Sequence, residues 1–434
     1  MINFRDTLKI EDEQLVIGGI KCSDLANEFK TPLYVMDKSH IINMANTYKN
    51  ALDKHYGYGQ VSYASKAFCC KEIYRIINSC GIGIDVVSDG ELYTALSVDF
   101  PSNRIIFHGN NKTPKELDYA LENKVEYIVI DSLSEIELLD SICTSKSLKQ
   151  KVLIRVNPGV EAHTHHYIQT AKIDSKFGFS LIDGTAEIAI NKILEKKNLV
   201  LKGLHCHIGS QIFDEKAFIL AIDKMTDYYK YLKTSLNLEL EVFNLGGGFG
   251  IYYSGDDKKM TYNDYHLLIK SLCEKLNEDV VNKGIKKPYF IIEPGRSIVG
   301  EAGITLYTVG NVKDIKNIKK YISIDGGMFE NPRYALYQAQ YTIVPVVKMN
   351  RKFNIKYSIA GKCCESGDLI AEDCMLPEIQ VGDVLCVLST GAYNYSMSSN
   401  YNRNVVPAVV FVENGKSYTA VKRQSLSDIT RNDL

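Results

Sequence analysis

Two textures alternate along the chain from residue 31. Short β-branched runs are followed by longer amphipathic stretches rich in Lys and Glu. The runs are "GQVSYASK" (59–66), "GIGIDVVS" (81–88), "RIIFHG" (104–109), "EYIVID" (126–131), "KVLIRVNPG" (151–159), "LKGLHCHIG" (201–209), "LEVFNLGGG" (240–248) and "PYFIIEPG" (288–295). Between them lie "PKELDYALENK" (114–124), "SEIELLDSICTSK" (134–146) and "EKAFILAIDKMTDYYKYLKTS" (215–235). The last has apolar residues at three- and four-residue spacing, which predicts a helix. Strands alternating with helices predict a parallel sheet. Eight such units over about 260 residues match an α/β fold of the (β/α)8 (TIM) barrel type.

After about residue 297 the texture changes. "GITLYTVGNVKDI", "YISIDGG", "YTIVPVVKM", "NIKYSIAGK", "GDVLCVLSTGAY" and "VPAVVFVENGKSYTAV" are strand-like, with Gly, Asn and Asp at the turns. They predict a C-terminal all-β domain of roughly 130 residues. The expected division is a barrel over 31–296 and a β domain built from 297–434 with residues 1–30.

Composition narrows the picture a little. A length of 434 residues suits two or three domains. Lys and Arg number 51 against 52 Asp and Glu, a net charge of -1. That balance predicts neither a nucleic-acid nor a membrane surface, and suits a small neutral or zwitterionic ligand. The 11 cysteines occur singly or as the neighbours Cys69-Cys70 and Cys363-Cys364, with no C-x-x-C spacing. This predicts a reduced, cytoplasmic chain and no cysteine-bound metal. The opening "MINFRDTLKIEDEQ" lacks a signal-peptide pattern, and no run of about 18 apolar residues predicts a membrane span.

The candidate chemistry lies at the ends of the predicted strands. They finish on Lys66, Asp85, His108, Asp131, Arg155 with Asn157, His205 with His207, Asn244, and Glu293 with Arg296. A polar residue ends many strands, so one such end signifies nothing. Eight together, on the face where barrels of this kind carry their sites, predict an active site. A desolvated lysine at position 66 would be an imine-forming amine; taken alone, it reads first as a snorkelling surface lysine. "NLGGGFG" (244–250) offers backbone amides for a phosphate, or is simply a tight loop. "HCHIGSQ" (205–211) offers a ring-stacking imidazole, and Ser210 as a phosphate donor; zinc would need a third ligand not visible nearby. In "IIEPGRS" (291–297) the carboxylate could hold a ring nitrogen protonated and the arginine could fork onto a carboxylate or phosphate, or the two could pair with each other. The second domain adds Arg333 and Tyr337, Cys364 and Glu365, and Tyr393. A strand-end lysine, a phosphate nest, a stacking histidine and an acid for a ring nitrogen together describe a pyridoxal phosphate site.

Longer motifs sharpen this. "YASKAF", "DVVSDGEL", "NPGVEAHTHHYIQTAKIDSKFGF", "HCHIGSQIFD", "NLGGGFGI", "EPGRSIVGEAG", "GMFENPRYALY" and "CCESGDLIAED" run through the chain. With them, the span from "TPLYVMD" (31–37) to "SMSSNYN" (396–402) resembles the diaminopimelate decarboxylase branch of the fold type III pyridoxal-phosphate decarboxylases. Ornithine and arginine decarboxylases and, more distantly, alanine racemases belong to the same group. The resemblance implies that pyridoxal 5'-phosphate is bound through Lys66, with His207 stacked on its ring and Glu293 on its nitrogen. Ser210, Gly246, Gly247 and Gly248 would hold the phosphate with the backbone of Pro294, Gly295 and Arg296, and Asp85 and Tyr393 would also face the cofactor. Arg296, Arg333 and Tyr337 would hold the distal end of the substrate, Glu365 its amine, and Tyr393 would touch it too. Cys364 would return a proton to the carbon that loses carbon dioxide. The resemblance further implies a homodimer with shared active sites, the Cys-Glu loop coming from the partner, and no metal. The reaction expected is meso-2,6-diaminopimelate to L-lysine and carbon dioxide. The alternative is a sister decarboxylase of carboxynorspermidine, ornithine or arginine. A racemase on the same barrel would need two-sided proton transfer, typically by a second-domain tyrosine, where Cys364 stands here; a non-catalytic cofactor-binding protein would not need the Arg/Tyr/Glu/Cys set. Lys362 stands where the family usually has proline, and "RNVVP" (403–407) replaces an Arg-Pro-Arg-Pro-like run. Neither position carries one of these roles.

Overall fold

The computed structural model describes residues 4–160, 175–255 and 257–434. The segment "EAHTHHYIQTAKID" (161–174), part of one motif above, lies outside the described residues. Each of the eight apolar runs coincides with a strand, two of which begin one or two residues earlier: β1 (Gly59–Ala64), β2 (Gly83–Val86), β3 (Ile105–Phe107), β4 (Tyr127–Ile130), β5 (Gln150–Asn157), β6 (Leu199–His205), β7 (Val242–Asn244) and β8 (Tyr289–Ile292). Each pairs in parallel with its neighbour in chain order, and β8 pairs with β1. The sheet is therefore closed and has no edge. Parallel neighbours need long crossovers. Helices such as Pro114–Glu122, Leu133–Lys146 and Glu215–Leu236 supply them. Ser88, Thr113 and Ser132 start three of the helices, each side chain accepting from the backbone N–H of the third helical residue.

Ile106, Val129, Leu153, Val242 and Ile291 form one apolar cluster among the barrel strands. Side chains alternate faces along a strand, so a step of two residues stays on the same face. Two residues beyond that layer come His108, Asp131, Arg155, Asn244 and Glu293. One pleat thus packs the lower barrel with hydrocarbon and arms its upper end with polar groups.

A second sheet runs in the order Leu369–Leu376, Ile355–Ala360, Lys319–Ile324, Gly303–Ile315, Leu33–Asp37, Ala408–Glu413 and Lys416–Val421. Two further strands, Ile343–Pro345 and Val384–Val387, join it beside Gly303–Ile315. Leu33–Asp37 was expected in the barrel segment that opens at residue 31. It instead pairs antiparallel with Gly303–Ile315 and in parallel with Ala408–Glu413. All five of its residues are buried, so no alternation distinguishes it from a barrel strand. The N-terminal strands Lys9–Glu11, Gln14–Ile17 and Ile20–Lys21 form a small sheet, and Leu15 and Ile17 join Leu33, Ile304, Val344 and Val410 in one core. Among the described residues no helix is long and apolar enough to cross a membrane.

Candidate active site

The C-terminal ends of the barrel strands open on a cavity of about 920 Å³ that also reaches loops of the second domain. Its floor is Glu293, just past β8. His108 sets its Nε2 2.8 Å from Glu293 Oε1, and Asn244 Nδ2 donates to the same oxygen at 2.7 Å. His205 Nε2 lies 3.2 Å from Oε2. Burial works against a charge here, but the neighbouring His108 and His205 and their hydrogen bonds hold the Glu293 carboxyl well below its usual range. His205 is itself pushed down to about 3, chiefly by burial, so it donates as a neutral ring. One atom from each of His108, His205 and Glu293 falls within 4.8 Å of the others, a donor set that a cation could use. The contacts with Glu293 are at hydrogen-bond distance and Asn244 shares an oxygen, so the trio reads as a carboxylate gripped by N–H donors.

Lys66 sits one turn past β1, in the short 3-10 turn Ser65–Ala67, and extends into the cavity. Asp85 of β2 lines the same wall. Burial and then the Glu293 charge raise the Asp85 carboxyl well above its usual range, against the pull of Lys66. Two buried carboxyls are thereby driven in opposite directions, Glu293 down and Asp85 up. His207 also lines the cavity and is kept neutral by burial and by the charges of Lys66 and Arg155.

The glycine run curls under this group. A Cβ on Gly247 would lie 2.0 Å from the Glu293 carbonyl oxygen, and one on Gly248 would lie 2.4 Å from that of Gly209. Gly248 also has φ +114°. These two glycines, Ser210 and Gly295 line the cavity. Gly246 and Pro294 are not among the described residues that line it. The Gly246 N–H is committed to Asn244 Oδ1 at 2.9 Å, and the Pro294 carbonyl accepts from the Ala64 N–H.

The outer part is built from arginines and tyrosines. Arg296 donates to Ser210 Oγ (2.8 Å) and to the Tyr253 hydroxyl (2.5 Å), and lies over the Tyr393 ring at 4.6 Å. Arg333 donates to the Tyr341 hydroxyl (2.9 Å) and lies over the Tyr253 ring at 4.6 Å. Their residue exposures are 8% and 6%, and neither makes an ion pair among the described residues. Tyr337 lines the cavity from the short helix Arg333–Tyr337. Tyr393 has φ 59°, and its N–H donates to the Ala67 carbonyl at 2.8 Å, tying the second domain to the turn that carries Lys66.

Cys364 and Glu365 are exposed and are not among the described residues that line the cavity. The Cys364 N–H donates to Asn402 Oδ1 at 2.9 Å, in a loop of the second domain. Sequence reasoning missed Tyr253 and Tyr341, and assigned no role to His108, Asn244 or Arg155. The last three carry a signal, their position two residues beyond an inward apolar residue. Tyr253 has none, since its partners Arg296 and Arg333 are remote in sequence, and Tyr341, eight residues from Arg333, ends no apolar run.

The family model described as pyridoxal-dependent decarboxylase, pyridoxal binding domain, matches residues 38–300. A diaminopimelate decarboxylase of Bacillus methanolicus is 47% identical over 98% of this chain and 98% of its own length. That of Bacillus subtilis (strain 168) is 46% identical over 97% of this chain and 95% of its own. The chain belongs to the diaminopimelate decarboxylase family of pyridoxal-dependent decarboxylases. A solved diaminopimelate decarboxylase from M. jannaschii, in co-complex with L-lysine, aligns at a TM-score of 0.91 with 35% identity, covering 99% of this chain and 98% of that one.

The residues present fit the cofactor of a pyridoxal-dependent enzyme. A lysine and an ionised carboxylate face one cavity, and the glycine loop beside Ser210 has no room for a Cβ.

Proposed function

We propose that this cavity decarboxylates meso-2,6-diaminopimelate to L-lysine and carbon dioxide, the last step of lysine biosynthesis. The observation that carries the reading is the pair of buried guanidiniums, Arg296 and Arg333, with no carboxylate partner among the described residues. A buried cation without a counter-ion is costly, and a planar fork suits a carboxylate. A substrate with a second carboxylate, away from the reacting end, meets that need. Ornithine, arginine and lysine, used as substrates, bring none.

Pyridoxal phosphate, when bound, supplies an electron sink for the pair left by the broken bond to the carboxylate carbon. Lys66 would hold it covalently through Nζ, and Gly247, Gly248, Ser210 and Gly295 would take its phosphate. His207 would lie against the ring, with Asp85 and Tyr393 at its sides. Glu293 would keep a proton on the ring nitrogen, as a carboxylate backed by two histidines can. Arg296, Arg333 and Tyr337 would fix the distal end of the substrate. We assign Cys364 Sγ as the group that returns a proton to the carbon, and Glu365 as the partner of the distal amine. Both lie on an exposed loop, which supports a homodimer in which each chain lends its loop to the other's cavity. The reduced, unpaired cysteines support a cytoplasmic setting.

The test is a substrate panel with purified protein and cofactor. Meso-diaminopimelate should yield one lysine per carbon dioxide. Turnover of carboxynorspermidine, ornithine or arginine in its place would refute the assignment.

A further inference from the structure

Tyr253 follows the glycine run, in "GIYYSG" (250–255), and is 5% exposed. Its hydroxyl accepts from Arg296 at 2.5 Å, and its ring meets Arg333 at 4.6 Å. It therefore touches both guanidiniums, one through a lone pair and the other through its π face. Two buried like charges repel, and neither has a carboxylate partner among the described residues. A neutral phenol between them attracts each, without neutralising the charge that a carboxylate must find.

The placement of this phenol is itself over-determined. The Tyr253 N–H donates to Asp257 Oδ2 at 3.1 Å. Its carbonyl accepts from the Thr342 N–H at 3.2 Å and from Thr342 Oγ1 at 2.9 Å, across the domain seam. Gln211 clamps the backbone two residues earlier, donating to the Ile251 carbonyl at 2.6 Å and accepting from its N–H at 3.1 Å. Tyr341 meets the Tyr253 ring edge-on at 5.5 Å and takes the other side of Arg333. A side chain fixed from this many directions defines a distance.

We infer that Tyr253 is a positioning residue that sets the spacing of Arg296 and Arg333, and through it the affinity of the cavity for the distal carboxylate. The inference rests on the substrate reading above. It adds that the selectivity resides in a residue that need not touch the carboxylate itself.

The experiment compares wild type, Tyr253→Phe and Tyr253→Leu. Steady-state rates with meso-diaminopimelate are measured beside calorimetric binding of L-lysine and cadaverine. L-lysine keeps the distal carboxylate after the reaction and cadaverine has none. In Tyr253→Phe the ring stays and the acceptor for Arg296 goes. KM for diaminopimelate and Kd for L-lysine should both rise about tenfold, with kcat within about twofold. Tyr253→Leu loses both contacts, and both constants should rise about a hundredfold. Cadaverine binding and the visible absorbance of the cofactor should be unchanged in both variants. Unchanged lysine affinity in Tyr253→Phe overturns the inference. So does a loss in which cadaverine and cofactor binding weaken in step, the mark of a merely structural tyrosine. A wild-type protein inert toward diaminopimelate defeats the substrate reading instead, and the comparison of lysine with cadaverine still decides the role of Tyr253.

Discussion

Glu293 is charged where burial alone would neutralise it, because His108, His205 and Asn244 surround its two oxygens with donors. An amide there keeps one acceptor oxygen, for His108 and Asn244, but turns an NH2 toward His205 and cannot hold a proton on a ring nitrogen. Glu293→Gln should lower kcat by about 10²-fold or more while the cofactor stays bound. Rates measured beside the cofactor absorbance check this. Glu330 is the opposite case. It is fully buried with the Tyr307 hydroxyl 2.8 and 2.9 Å from its oxygens, and burial pushes its carboxyl up to about 8 from a usual 4.5. The folded chain keeps a proton that the unfolded chain releases between those values. The resulting stability is fully present below about pH 4.5 and is lost progressively as the pH rises through about 8. The melting temperature should fall across that window in the wild type and less steeply in Glu330→Gln; equal slopes would contradict it. Lys66, Glu293 and Arg296 are legible in the sequence because a polar residue after an apolar run shows in one dimension. Tyr253 is one of 28 tyrosines, and its partner Arg296 is 43 residues away. Only the folded chain brings them together.

At the scale of elements, the glycine loop works by close approach. Gly247→Ala sets a Cβ against the Glu293 carbonyl and must push the loop away from the end of β8. We expect a stability loss of about 1–3 kcal/mol, read from denaturation. A cofactor affinity weakened by more than about tenfold should accompany it, since the displaced amides are those proposed for the phosphate. Gly310→Ala, whose Cβ would meet nothing nearer than 3.8 Å, is the control that should be close to neutral. Undiminished affinity in Gly247→Ala would remove the phosphate role. The strand runs were legible as a set because helices separate them at regular intervals. Leu33–Asp37 was not, since a strand buried on both faces has the same texture in either sheet. Gly246 illustrates a finer limit: three adjacent glycines look alike in sequence, yet its N–H is turned to Asn244.

At the scale of the whole molecule, the cavity draws on both domains. Tyr393 is tied to Ala67, and Arg333 and Tyr337 come from the second domain while Lys66 and Glu293 come from the barrel. Cys364 and Glu365 lie elsewhere on the same chain. If each site borrows them from a partner, Lys66→Ala and Cys364→Ala are inactive apart and complement each other when mixed. Random re-pairing should restore about a quarter of wild-type activity, one good site in half of the dimers. No recovery would place Cys364 and Lys66 in one chain's site or leave Cys364 without a role.

On this reading the two buried guanidiniums, Arg296 and Arg333, choose the substrate. The most direct measurement of that choice is the ratio of kcat/KM for meso-diaminopimelate to that for racemic lysine, the same skeleton without the distal carboxylate. A ratio of about 10⁴ or more is expected in the wild type, collapsing in Arg333→Leu through loss of the diaminopimelate rate. Comparable rates on the two compounds, or a ratio untouched by Arg333→Leu, would contradict it.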